Sequence, residues 1–208
     1  MQGWMSGATR TPPQSRSGLA WEGQSAWKMV WHTTESSYRR NGGGATNYHG
    51  HQSYPHFEIS ETGIEQYLPI TVGAYALAPA TTEHGIGNAA HAVQAEIVWQ
   101  AAEAAVMSER LLEHIAQVLT FLRSETGMTP NLPAQGFAGP ERRNWFASAA
   151  DWYAFEGVCG HQHVPGNFDR WDPGRIPAQR IVALSDAHLA AADPLLLGGR
   201  TLVRFAGE

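Results

Sequence analysis

A single cysteine, Cys159, stands in 208 residues, so neither an internal disulfide nor a cysteine-rich zinc module can form. Charge is sparse as well. Charged residues make up 16% of the chain, and 14 Lys and Arg against 19 Asp and Glu leave a net −5. Without clustered cations to neutralise phosphates, nucleic acid is excluded as the main partner. The same shortage removes a polybasic grip on anionic lipid. No run approaches the ~18 consecutive apolar residues of a bilayer-spanning helix, so membrane insertion is not expected. Residues 1–18 hold no apolar core between their charges, so a secretory leader is not expected there.

The chain is rich in apolar residues (43%), in glycine (22), in proline (12) and in histidine (10). That composition is globular rather than disordered, and the length suits one domain with a real core. Residues 1–24, dominated by Gly, Ser, Thr, Pro and Gln, read as an arm at the domain edge, and residues 25–208 as the domain itself. Ala26 to Trp31 is a short, mostly apolar run, the pattern of a strand covered on both faces. Residues 39–53 form a polar stretch. Tyr54 to Ser60 and Ile64 to Leu68, separated by Glu61-Thr62-Gly63, alternate as a β-hairpin does. Residues 79–90 are polar again. Gly85 to Ala90 fits the G-x-G-x-x-A dinucleotide pattern, but no apolar strand precedes it, and that reading is set aside.

His91 to Trp99 reads as a strand with Val93, Ala95 and Ile97 on one face and Gln94, Glu96 and Val98 on the other. Met107, Leu111, Ile115, Val118 and Leu122 recur at helical spacing, which predicts a helix from about Ala104 to Ser124, stopped by Gly127 and Pro130. Aromatic residues from Trp145 to Phe155 predict a turn or short helix before a strand at Gly157 to Cys159. A further helix is predicted over Pro177 to Ala191, and an apolar tail over Thr201 to Phe205. Strands alternating with helices and a hairpin predict a single-domain mixed α/β fold around a central sheet.

Chemistry concentrates in two places. Val30-Trp31-His32-Thr33-Thr34-Glu35 puts a histidine where the first strand ends. Gly160 to Gly174 packs His161, His163, Asp169 and Asp172 between glycines and prolines, a loop whose shape comes from fixed backbone dihedrals. A catalytic zinc takes three protein ligands and leaves a position open, and His32, His161 and Asp172 suit it. His161 and His163 lie two apart, so on extended backbone only one of them faces such a site. The competing reading is surface histidines beside an ordinary Asp-Pro-Gly turn.

The motifs Val-Trp-His-Thr-Thr-Glu, Tyr-Pro-His-Phe and Gly-His-Gln-His-Val-Pro…Trp-Asp-Pro-Gly resemble the zinc-dependent N-acetylmuramoyl-L-alanine amidases, the superfamily of many phage endolysins and of the peptidoglycan recognition proteins. The likeness runs from about Ala26 to Arg180, in the family's order. It implies a mixed sheet flanked by helices and Zn2+ held by His32, His161 and Asp172. It also implies Glu96, eight residues past Asn88, as the proton-transferring carboxylate, and Arg170, two before Asp172, as an oxyanion stabiliser. Some phage members place a catalytic Tyr directly before His-Phe. Here that place is Pro55, with Tyr54 one residue off, and the His161–Asp172 stretch is slightly longer than in the family's pattern.

The implied activity is hydrolysis of the amide between N-acetylmuramic acid and L-alanine in bacterial peptidoglycan. As an endolysin, the protein is expected to be a monomer made in the host cytoplasm, reaching the wall after a separate protein opens the membrane. A non-catalytic peptidoglycan-binding module on the same fold is the alternative, as is a different zinc hydrolase. His56 is expected to be a hairpin or groove residue, His49 and His51 cleft or surface residues, and Cys159 a buried apolar one. His84, His91, His114 and His188 have no motif around them.

Overall fold

The computed structural model describes residues 3–12, 26–35, 54–76, 92–142, 145–166 and 170–192. The expectations for residues 39–53 (His49 and His51 included), for residues 79–90 with His84 and Asn88, for His91 and for the 201–205 tail lie outside the described residues. Among the described residues the strands are β1 (Thr9–Arg10), β2 (Lys28–Thr33), β3 (Phe57–Ser60), β4 (Gly63–Gln66), β5 (Val93–Ile97) and β6 (Gly157–Gly160). The helices are α1 (Glu109–Thr126), α2 (Ala149–Ala154) and α3 (Ala178–Ala192), with 3₁₀ turns at Ala101–Val106 and His161–His163. One mixed sheet runs in the order β1-β4-β3-β5-β2-β6. Only the β3–β4 hairpin is antiparallel.

The strands sort their side chains by alternation. Met29, Trp31, Phe57, Ile59, Val93, Ala95, Ile97 and Val158 join one apolar cluster with Leu111, Ile115, Val118 and Leu122 of α1 and Ile181 of α3. On the opposite face Val30 and Cys159 pack with Trp152 of α2 and Val164. β2 is therefore buried at every position, as a strand with parallel neighbours and covered faces must be.

The long helix starts later than its apolar period suggests. Residues 101–106 turn as 3₁₀, and Ser108 caps α1, its Oγ accepting from the Leu111 amide at 3.2 Å. At the other end Gly127 takes a left-handed φ of 73° and its N–H bonds the Arg123 carbonyl. A polar seam joins α1 to α3: Thr120 and Arg123 both donate to Ser185 Oγ, Arg123 pairs with Asp186, and His188 meets Glu113 at 2.6 Å. At the far edge, β1 pairs with β4, and the Gly3 carbonyl accepts from Gln66 Nε2 and from the Ile70 amide. Residues 3–12 thus cover an otherwise open strand.

Gly174 needs to be glycine on two counts. Its φ is 72°, and a Cβ there would stand 2.1 Å from the Ala101 carbonyl oxygen. Gly174→Ala is expected to destabilise the fold by roughly 2 kcal/mol or more in urea unfolding, since left-handed strain and a backbone clash add. A wild-type midpoint would contradict the close approach.

Candidate metal centre and active site

Three adjacent parallel strands bring the site together. In the β2–β6 ladder Trp31 lies opposite Gly160, so His32 is the next residue of β2 and His161 the first residue beyond the neighbouring strand β6. In the β2–β5 ladder His32 lies opposite Glu96. All three side chains emerge at the carboxyl ends of the strands, the common position for sites in parallel sheets. Asp172 arrives from a turn stitched back to this end: Gln162 N–H donates to the Asp172 carbonyl, and Gly174 N–H to that of Trp171. Gly160 lets the turn come close, because a Cβ there would lie 2.4 Å from Pro173 Cδ.

Three ligand-type atoms converge. His32 Nδ1 and His161 Nδ1 are 3.1 Å apart, His161 Nδ1 and Asp172 Oδ2 3.2 Å, and His32 Nδ1 and Asp172 Oδ2 3.5 Å. A tetrahedral zinc with bonds of about 2.0–2.1 Å spaces its ligand atoms about 3.3–3.4 Å apart, so this triangle matches one face of such a tetrahedron. Hydrogen bonds alone explain it poorly. If both imidazoles donate to Asp172, two N–H groups confront each other across 3.1 Å.

The protonation states agree with a metal site. Burial, then the neighbouring His161, hold the His32 imidazole down to about 4 against the pull of Asp172, so it is neutral at neutral pH. Burial opposes the charged form of Asp172. Hydrogen bonds from His161 and His32 lead the opposing causes, outweigh it and hold the carboxyl well below the usual carboxylate range. Buried His32, His161 and Asp172 form a group able to hold a metal ion.

Glu96 stands beside this cluster on the face that alternation predicts, with Val93, Ala95 and Ile97 turned to the opposite, core face. It is not a solvated strand residue. Its Oε2 is shut off from solvent and has no hydrogen-bond partner among the described residues. Burial first, then the charges of Asp172 and Glu58, push its carboxyl up to about 8, while Arg170 pulls the other way. Glu58 is a site residue that motif reading misses. It lies opposite Glu96 on one side and Glu65 on the other, and the Tyr67 hydroxyl bonds both Glu58 and Glu65. His32, Glu96, Glu58 and Glu65 therefore form a row across four strands. Arg170 is exposed at the rim, near enough that its charge lowers both His32 and Glu96.

The other buried histidines have different work. His163 accepts from Gly160 N–H through Nδ1 and donates from Nε2 to the Gly136 carbonyl, both at 2.9 Å. His56 accepts from Gln94 N–H and donates to the Val72 carbonyl at 2.7 Å. Burial holds each near a pKa of about 4. With both ring nitrogens committed to backbone, neither has a lone pair left for a metal. Tyr54 is fully buried, edge-on to Tyr75, and is part of the packing. Cys159 is fully buried and its thiol pushed upward by that burial, so it is no nucleophile. Glu35 closes the β2 motif structurally, its Oε1 accepting from Thr33 Oγ1 and the Ala101 amide.

The raised carboxyl of Glu96 has a consequence for stability. A group whose folded pKa exceeds its unfolded one stabilises fully below the unfolded value and loses that contribution as pH rises through the folded one. For Glu96 the window runs from the ordinary glutamate value of 4.5 to about 8. In chelator-treated protein, Glu96→Gln is expected to exceed wild type in stability by roughly 1–3 kcal/mol above this window and to match it near its lower edge. Urea unfolding at both ends checks this, and a difference independent of pH would contradict it.

No protein-family model matches the chain, and no curated protein matches it. Solved structures do. A selenomethionine derivative of AmpD superposes with a TM-score of 0.57 at 15% identity, over 88% of this chain and 97% of that one. The Staphylococcus aureus hydrolase AmiA, solved in complex with its ligand, gives 0.56 at 14%, over 89% and 84%. The mixed α/β domain described above is the fold this chain shares with AmpD and AmiA.

Proposed function

We propose that the protein is a zinc-dependent N-acetylmuramoyl-L-alanine amidase, a peptidoglycan hydrolase that cuts the amide between N-acetylmuramic acid and the L-alanine of the stem peptide. The observation that carries this reading is the triangle of His32 Nδ1, His161 Nδ1 and Asp172 Oδ2, with edges of 3.1 to 3.5 Å. Its support is the sequence motifs in the superfamily's order, and a fold shared with a hydrolase.

A zinc ion held by these three atoms would polarise the scissile carbonyl and acidify a water. The chain's own residues supply the rest. Asp172, kept ionised, and His32, kept neutral, stay in ligating form at neutral pH. Glu96 faces the cluster with an unpartnered, buried carboxyl oxygen, and its carboxyl is raised to about 8, so that an ionised fraction ready to accept a proton persists near neutrality. That is the range in which a carboxyl can take a proton from an attacking water and return it to the leaving nitrogen. Arg170 brings a positive charge to the rim, where negative charge builds on the carbonyl oxygen.

The resemblance to phage members favours a role as an endolysin, acting on the bacterial wall in host lysis. All three candidate ligands are present, which speaks against a non-catalytic recognition module.

Muropeptide mass spectrometry of digested peptidoglycan tests the proposal. Wild type is expected to release stem peptides beginning at L-alanine. His161→Ala and chelator treatment are expected to abolish release, with zinc restoring only the chelated protein. Glu96→Gln is expected to slow release ~10²–10⁴-fold while keeping the metal. Wall that binds the protein yet yields intact muropeptides would establish the recognition module instead.

A further inference from the structure

Gln162 follows His161 directly and is 2% exposed. Its side-chain amide is committed at both ends. Oε1 accepts from Ala138 N–H at 2.9 Å, and Nε2 lies 2.9 Å from the Trp171 carbonyl, 3.2 Å from that of Gly174 and 3.3 Å from that of Ala138. A planar amide with its nitrogen facing carbonyls and its oxygen facing an N–H has one satisfied orientation, so the side chain is locked. The backbone N–H of the same residue donates to the Asp172 carbonyl at 3.0 Å. From this one position, bonds reach the residue before Asp172, Asp172 itself, and the glycine that closes its turn.

The third segment held by the amide backs the remaining ligand. Phe137, next to Ala138, stacks against Trp31 at 5.8 Å between ring centroids, and Trp31 precedes His32. His163, on the other side of Gln162, clamps the same loop at Gly136. These bonds tie Gln162 to the segments that present Asp172 and His161 and, by way of Phe137 and Trp31, to the strand that presents His32.

We infer that Gln162 is a positioning residue that sets the spacing of Asp172 from His161, and through it the metal affinity of the site. The inference rests on the zinc reading of the cluster. Changes to groups that orient metal ligands typically cost ~10–100-fold in metal affinity, whereas a purely structural clamp affects only unfolding.

Gln162→Met preserves the length of the side chain and removes its polar bonds. Gln162→Asn keeps an amide on a stem too short to reach every partner. Ser185→Ala, in the α1–α3 seam, is a destabilising control remote from the site. The measurements are zinc affinity by chelator competition and the visible spectrum of the cobalt-substituted protein, both well below each unfolding transition. Gln162→Met is expected to weaken zinc binding ~10–100-fold and alter the cobalt bands. Gln162→Asn should show a smaller effect of the same kind, and Ser185→Ala should lower the Tm alone. If Gln162→Met does not fold, Gln162→Asn decides by the same readouts. Folded Gln162 variants with wild-type zinc affinity and cobalt spectrum would overturn the positioning role alone. A wild-type chain that binds no zinc would overturn the metal reading, and this inference with it.

Discussion

The parallel register of β2 with β5 and β6 is the constraint on which the rest of the molecule depends. Trp31 opposite Gly160 and His32 opposite Glu96 are what put His32, His161 and Glu96 at one end and on one face of the sheet. A slip of one residue would turn every side chain of β2 to the other face. The register is secured from both sides. Met29 and Trp31 are committed to the α1 side with Val158 and Ala95, and Val30 is committed to Trp152 and Cys159 opposite. The core therefore serves as the alignment device for the polar site.

Four buried histidines show how one side chain takes two roles on such a frame. His56 and His163 spend both ring nitrogens on backbone groups and act as neutral crosslinks between loops and strands. His32 and His161 turn Nδ1 toward each other and toward a carboxylate. Burial favours the uncharged ring in His32, His56 and His163 alike. What distinguishes the pairs is whether a lone pair is left facing a shared centre.

Much of this was legible in the sequence, and the gaps have physical reasons. The apolar run ending at Trp31, the β3–β4 alternation and the two-residue period of β5 carry their own burial pattern, which is why the face of Glu96 follows from counting. The start of α1 does not. Ala101 to Val106 is rich in alanine and looks helical, but the Ser108 side chain accepts from the Leu111 amide and starts the helix there. β1 is two residues long, too short for any period to show. Glu58 and Gln162 stay silent because their partners come from other strands and loops, and sequence spacing holds no trace of non-local pairing.

Zinc-edge X-ray absorption on the zinc-loaded protein tests the central claim most directly. The account predicts one zinc per chain with two imidazole nitrogens and oxygen ligands at about 2.0–2.1 Å. A chain that takes up no stoichiometric zinc would contradict it. So would a shell with three imidazoles.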